Sequence, residues 1–283
     1  VLACASTGNT SASLAAYAAR AGLRTIVYIP SNHVALGKLS QAAAMGAEII
    51  EVDGNFDDAL RLLLGSAHGP GPYVLNSVNP FRIEGQKTVA FEIYDQLGRV
   101  PDNVILPVGN AGNISAAWKG FSELIGIGAI NRAPRMIGVQ AIGASPIVDA
   151  INKGAMAIAP IEKPETIASA IRIGRPASWR KALTAIKESG GTAVAVDDKE
   201  IIRAQSMLAT LEGIFVEPAS AAPVAALRPL IQKGVIARDE STVCIATGHG
   251  LKDPESPICR VRTRKIDELD SLGLVATSRP LGR

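Results

Sequence analysis

Short apolar strands alternate with alanine-rich helical stretches along most of the chain, and this alternation constrains the fold more than any other feature. Val1 to Ala5 reads as a strand, and Ser11 to Ala21 as a helix closed by Gly22. Thr25-Ile26-Val27-Tyr28-Ile29 is β-branched and aromatic and ends at Pro30. A helix from Gly37 to Met45, a strand from Glu48 to Val52, a helix from Asp57 to Leu64 and the strand Tyr73-Val74-Leu75 continue the rhythm. Parallel neighbours need a crossover between them, so this pattern predicts parallel sheets covered by helices, an α/β fold.

The second half repeats the scheme. One long helix is expected from Ile83 to Leu97, closed by Gly98, and then the strand Val104 to Val108 and a helix from Ser115. The strand Met136 to Gln140 follows, and Gly154 to Pro176 reads as irregular. A helix from Trp179 to Lys187 and a strand from Thr192 to Val196 come next. Asp197 and Glu200 have the spacing of a capping box for a helix reaching Leu211. Ala219 to Leu230 is helical in pattern, with an interruption expected at Pro223, and Ser241 to Ala246 is a buried-type strand.

Composition narrows the class. The 283 residues are 47% hydrophobic and 19% charged, enough for one large or two modest cores. A net charge of +3 is near balance, and the basic cluster Arg260, Arg262, Arg264 and Lys265 reads as a solvated face. With aromatics at 4% there is no stacking platform, so nucleic acid is not an expected partner. Cys4, Cys244 and Cys259 are widely spaced, which suits a reducing compartment, and His33, His68 and His249 are too scattered for metal ligation. No apolar run approaches the roughly 18 residues that span a bilayer, so a cytoplasmic protein is expected. The chain opens on a strand already under way, and reads as a piece missing an N-terminal portion.

In open α/β sheets, ligands sit beyond the carboxyl ends of the strands. Four loops there stand out. Gly109-Asn110-Ala111-Gly112-Asn113 follows an apolar strand and precedes a helix, which suits an anion at a helix N-terminus. It is neither a P-loop nor a Gly-x-Gly-x-x-Gly dinucleotide site, so it reads as a cup for a compact phosphate or as an ordinary strand-to-helix turn. Ser6-Thr7-Gly8-Asn9-Thr10-Ser11 carries five hydrogen-bonding side chains where a helix cap needs one, and reads as a second anion site sized for a carboxylate in preference to a plain N-cap. Asn76 to Lys87 offers amides, Ser77 and the guanidinium of Arg82, either a surface residue or a fork for a second phosphate. Thr247, at the last strand end, is either a simple β-former or a hydroxyl that meets a ring nitrogen.

These loops in this order, with Glu217-Pro218-Ala219-Ser220-Ala221 and Thr247-Gly248-His249-Gly250-Leu251-Lys252-Asp253-Pro254, resemble the bacterial-type threonine synthase family within the fold-type II pyridoxal-phosphate enzymes. The likeness covers nearly all of the chain and weakens after about Ser256. It implies two doubly wound three-layer domains of the tryptophan synthase β-like architecture, a smaller one over residues 1–80 and a larger one over residues 81–283, with the cofactor between them. It implies that Gly109, Asn110, Ala111, Gly112 and Asn113 hold the phosphate of pyridoxal 5'-phosphate, Asn9 its ring hydroxyl and Thr247 its pyridine nitrogen. Ser6, Thr7 and Thr10 would hold the substrate α-carboxylate, and Asn76, Ser77, Arg82 and Asn110 the phosphate of O-phosphohomoserine. The implied reaction is β,γ-elimination of phosphate and addition of water to give threonine, in a homodimer.

Two departures from the family pattern bear on this expectation. The family's Schiff-base lysine lies upstream of the Ser-Thr-Gly-Asn-Thr loop, so no catalytic lysine is assigned, and the chain by itself is expected to be inactive. Lys38, Lys87 and Lys252 match family lysines of other roles. His249 stands where the pattern has asparagine. A threonine or serine dehydratase shares fold and cofactor, but its phosphate loop is typically a run of glycines, and it lacks the Asn-Ser and Arg set. A module that binds a phosphorylated metabolite without chemistry is the other alternative.

Overall fold

The computed structural model describes residues 1–6, 8–31, 36–54, 56–67, 71–77, 79–253 and 256–259, with backbone alone for residues 36–38 and 56–57. Thr7, His33, His68 and the basic cluster at Arg260, Arg262, Arg264 and Lys265 lie outside the described residues. Two parallel four-stranded sheets organise the chain, each flanked by helices. The first contains β1 (Leu2–Ala5), β2 (Thr25–Pro30), β3 (Glu48–Val52) and β4 (Tyr73–Val74), in the order β3-β2-β1-β4. Its helices are α1 (Asn9–Arg20), α2 (Leu36–Ala44) and α3 (Phe56–Ser66). Small apolar residues fill the middle of this unit: Ala3, Cys4 and Ala5 on β1 are fully buried, against Leu14 of α1 on one face and Leu63 of α3 on the other.

The chain then enters α4 (Phe81–Gln86) and α5 (Thr88–Leu97), where the sequence pattern suggests one continuous helix. The break is a tightened turn at Lys87, whose carbonyl accepts from the N–H of Ala90 at 3.0 Å, three residues on. Helix α6 (Gly112–Gly126) crosses at this point through Gly120, where a side chain would run into the Lys87 carbonyl. The close crossing and the tightened turn therefore coincide.

The second sheet contains β5 (Asn103–Pro107), β6 (Arg135–Ala141), β7 (Thr192–Val196) and β8 (Thr242–Cys244), in the order β7-β6-β5-β8. On one face lie α6 and α8 (Trp179–Glu188), with Phe121, Ile114 and Met136 fully buried between helix and sheet. On the other lie α9 (Asp198–Leu211) and α10 (Pro218–Gln232), packed on Ile105, Ile137 and Val139. Numbered in chain order, α7 (Pro146–Asn152) is a short helix that the sequence pattern does not announce. It is held by the buried Gln140 Oε1, which accepts from the N–H groups of Ile147 and Val148 at 2.9 and 3.1 Å. Asp197 caps α9, accepting from the Glu200 N–H at 2.8 Å as the spacing predicts. Pro223 does not interrupt α10: the helix runs through Pro223 and Pro229, and burial of Pro223 in the core offsets the lost hydrogen bond.

Both sheets reverse their strand order at one place, between β1 and β4 and between β5 and β8. The four loops singled out in the sequence follow these four strands, so they are the loops of the two switch points, where open α/β sheets take ligands. Helix α4 is pinned to α6 by four charges: Lys87 bonds Glu84 at 2.7 Å and Glu123 at 2.8 Å, and Lys119 bonds Glu84 and approaches Glu123 at 3.7 Å. No described helix is long and apolar enough to cross a membrane.

Hydrogen bonds from Lys119 and then Lys87 hold the Glu84 carboxyl down at about 2, against an ordinary value of 4.5. Its folded value lies below its unfolded one, so its contribution to stability is present above pH 4.5 and is lost as pH falls toward about 2. Glu84→Gln is expected to flatten the fall of the urea midpoint across that window. Added salt should shrink the difference between the two proteins, because these half-buried side chains remain partly open to solvent.

Candidate functional site

The loop after β5 is shaped by backbone. Gly109 is required by close approach: a Cβ there would lie 2.7 Å from the Ala170 carbonyl oxygen. Ala111 has φ 65°, and among the described residues no other non-glycine residue has positive φ. It caps α6 with no side-chain hydrogen bond. A left-handed residue next to a right-handed helix start turns successive N–H groups into one concavity, an anion-binding nest. No described residue accepts from the N–H groups of Gly109 through Asn113. Asn110 is fixed from outside, its Oδ1 accepting from Ala177 N at 3.3 Å and its carbonyl from Ser178 N at 3.0 Å. This donor set, at the start of a 15-residue helix, fits a phosphate monoester such as that of pyridoxal phosphate.

The loop after β1 is shaped by side chains. Ser6 Oγ accepts from the Gly8 N–H at 3.2 Å, and Ser11 Oγ donates to the Gly8 carbonyl at 2.7 Å. Two of the five polar side chains therefore order the loop itself. Thr10 has no described partner, and the N–H groups of Asn9 and Thr10 find no described acceptor. Asn9 reaches the other unit of the protein: its Nδ2 donates to Glu217 Oε1 and Oε2 at 3.0 and 3.3 Å. Beside this bridge lies a cavity of about 290 Å³ lined by Gly8, Asn9, Gln41, His249 and Lys252.

Glu217 is nine-tenths buried or more, and it caps α10. Its N–H donates to the Gly248 carbonyl at 2.9 Å, while Gly250 N donates to the Phe215 carbonyl at 3.1 Å. Side chains on Gly248 or Gly250 would collide with the Glu217 carboxyl and the Phe215 ring, which accounts for both glycines of the Thr-Gly-x-Gly run. Thr247 presents an exposed side chain whose Oγ1 lies 2.8 Å from Ser220 Oγ. His249 Nδ1 accepts from Leu251 N at 3.1 Å, which places its ring hydrogen on Nε2, and the ring stands edge-on to Phe215 at 5.5 Å.

After β4, Asn76 is buried and pairs both ends of its amide with Ala5, accepting from its N–H at 2.9 Å and donating to its carbonyl at 2.8 Å. One N–H of Asn76 is left for anything else. Arg82, in the first turn of α4, lies 3.4 Å from Ser77 Oγ and has no carboxylate partner among the described residues. Burial lowers its affinity for a proton, with the neighbouring Cys4 opposing, and burial likewise pushes the Cys4 thiol up to about 12. Helix α4 abuts the phosphate cup, with Ile83 and Gln86 just under 4 Å from where a Gly112 side chain would sit. The guanidinium is thus carried on a helix in contact with the cup.

Of the three lysines matched to the family, Lys87 is held in the α4–α6 charge network and Lys252 lines the cavity, while the Lys38 side chain lies outside the described residues. The roles of Glu217 and Ser220 are not legible in sequence, where an acid, a proline and a serine signal only a helix start.

A family model described as pyridoxal-phosphate dependent enzyme matches residues 1–248. The chain is 61% identical over 259 residues to a threonine synthase of Methanocaldococcus jannaschii, covering 91% of this chain and 64% of the relative. It is 54% identical over 256 residues to a threonine synthase of Mycobacterium tuberculosis, covering 90% of this chain and 69% of the relative. The chain thus spans roughly two thirds of the length of the curated relatives it matches. Among solved structures, maize serine racemase superposes with TM-score 0.74 at 21% identity over 96% of this chain and 76% of that one. A threonine deaminase of Solanum lycopersicum superposes with TM-score 0.75 at 20% identity over 96% and 72%. These two share the fold.

Replacing Gly109 by alanine forces the cup away from Ala170. Gly109→Ala is expected to lower stability by about 1–3 kcal/mol in urea titrations and to weaken binding of pyridoxal phosphate beyond that loss.

Proposed function

The chain belongs to the pyridoxal-phosphate dependent enzyme family, and from that membership we propose that it acts as a threonine synthase, converting O-phospho-L-homoserine and water to L-threonine and phosphate. Pyridoxal phosphate, when bound, supplies the electron sink on which loss of phosphate and addition of water depend. The N–H groups of Gly109, Asn110, Ala111, Gly112 and Asn113 hold its phosphate. Asn9, oriented by Glu217, hydrogen-bonds its ring hydroxyl, and Thr247 donates to its pyridine nitrogen. Ser6, Thr7 and Thr10, with the open N–H groups of the α1 start, hold the substrate α-carboxylate. Arg82 leads the grip on the substrate phosphate, with Ser77, Asn110 and the remaining N–H of Asn76.

The observation that carries this reading is the Arg82 guanidinium, without a carboxylate partner among the described residues, on a helix packed against the open anion cup after β5. A dehydratase has one phosphate to bind, that of its cofactor. A threonine synthase has two. The reading extends to a smaller domain ending near Pro80, supported by the packing of Ala90 and Ile93 of α5 into the core of the second sheet. It also extends to a homodimer in the cytoplasm, in keeping with the free thiols of Cys4, Cys244 and Cys259.

The test supplies the full-length protein with pyridoxal phosphate and O-phosphohomoserine. Release of phosphate and threonine is expected. Formation of 2-oxobutanoate from threonine with no action on the phosphorylated substrate would assign a dehydratase, and binding without release a non-catalytic module. Arg82→Ala is expected to weaken O-phosphohomoserine about ten- to hundredfold, as for a lost bond to a charged group, with cofactor affinity little changed. Equal losses of both in titrations would remove Arg82 from this role.

A further inference from the structure

Ser220 lies in the first turn of α10, 1% exposed, and its hydroxyl meets the Thr247 loop at four atoms. The oxygen accepts from Thr247 N at 3.0 Å and from Gly248 N at 2.6 Å. It also lies 2.8 Å from Thr247 Oγ1 and 3.1 Å from the Gly248 carbonyl oxygen. A hydroxyl has one proton to give and two lone pairs. Both lone pairs are committed to the two backbone N–H groups, so the contact with Thr247 Oγ1 can only run with Ser220 as donor. The Gly248 carbonyl is the poorer claimant for that proton, being farther away and already accepting from Glu217 N at 2.9 Å. Thr247 Oγ1 therefore accepts from Ser220, and its own proton is left for an acceptor outside the loop.

We propose that Ser220 is a positioning residue that sets the polarity of the Thr247 hydroxyl, holding it as a hydrogen-bond donor toward the ring nitrogen of bound pyridoxal phosphate. This rests on the assignment of Thr247 to that nitrogen in the proposed function. A fixed donor at the nitrogen favours its neutral form over the protonated one. Ser220 thereby tunes the electron sink from a position that touches neither cofactor nor substrate.

The probe is 4'-deoxypyridoxine 5'-phosphate labelled with 15N in the ring. It has no aldehyde, so its binding to the full-length protein requires no Schiff base. The 15N shift of the bound probe is followed against pH. In the wild type the bound nitrogen should take up its proton at a lower pH than in the free probe. Ser220→Ala should move that titration back toward the free value and weaken the probe about three- to tenfold, the loss of one hydrogen bond. Ser220→Cys, a weaker donor, should fall between. Thr247→Val should match Ser220→Ala, and adding Ser220→Ala to it should move the titration no further.

A purely structural serine would lower Tm in Ser220→Ala and leave the ring titration where it was, and that result overturns the proposal. If Ser220→Ala does not fold, a Ser220→Cys titration identical to wild type overturns it equally. Failure of the wild type to bind the probe at all would remove the cofactor assignment and this inference with it. A titration moved in Thr247→Val but left at the wild-type position in Ser220→Ala would remove this inference alone.

Discussion

A strand that passes directly into a helix at the carboxyl edge of a parallel sheet leaves the first-turn N–H groups of that helix with no acceptor of their own. The structure has this situation at the centre of both sheets, where β1 hands to α1 and β5 to α6. The neighbouring strand on the far side of each switch point, β4 or β8, ends beside it and adds a loop of its own. Strand order therefore decides where the open donors collect, before any individual side chain is considered. What the side chains decide is which anion each collection suits.

The first turn of α10 ties these regions together. Glu217 bonds Asn9 across the space between the two units, and Ser220 holds Thr247. Asn9 and Thr247 thus both depend on residues three apart at the start of one helix. Gly248 allows the loop to lie against this turn and Gly250 against the Phe215 ring, and a side chain at either would push the loop away. Glu217 and Ser220 are buried, so either one left unpaired has no water to turn to.

Much of this architecture is legible in the sequence. The alternation of Val1–Ala5, Ser11–Ala21 and Thr25–Ile29 is dictated by burial of both sheet faces, a local pattern, and the strands fall where it places them. The four loops are legible for the same reason, since glycine and small polar residues at strand ends mark the switch points. Features set by distant contacts are not. The break at Lys87 coincides with the approach of Gly120, and α7 depends on Gln140 reaching two N–H groups from another element. Pro223 reads as a helix breaker because local propensity sees the missing N–H and not the core around it. Asn76 reads as a ligand-gripping amide, yet its pairing with Ala5 joins residues 71 apart. Glu217 and Asn9 are 208 apart, so no window of sequence could pair them.

The two switch points share a topology and differ in chemistry. After β5, the anion site is bare backbone, with Gly109 pressed against Ala170 and Asn110 held by the N–H groups of Ala177 and Ser178. Its donors are backbone N–H groups set by the turn, so it suits an anion that stays in place. After β1, side-chain hydroxyls join the open N–H groups of Asn9 and Thr10, and among the described residues Ser6 and Ser11 are fixed to the loop itself. Side-chain hydroxyls turn about single bonds and pair with donors or acceptors as required. Such a site suits a ligand that arrives, changes and leaves. A rigid cup in one unit and an adjustable one in the other fits the proposed pairing of a permanent phosphate-bearing cofactor with a transient carboxylate substrate.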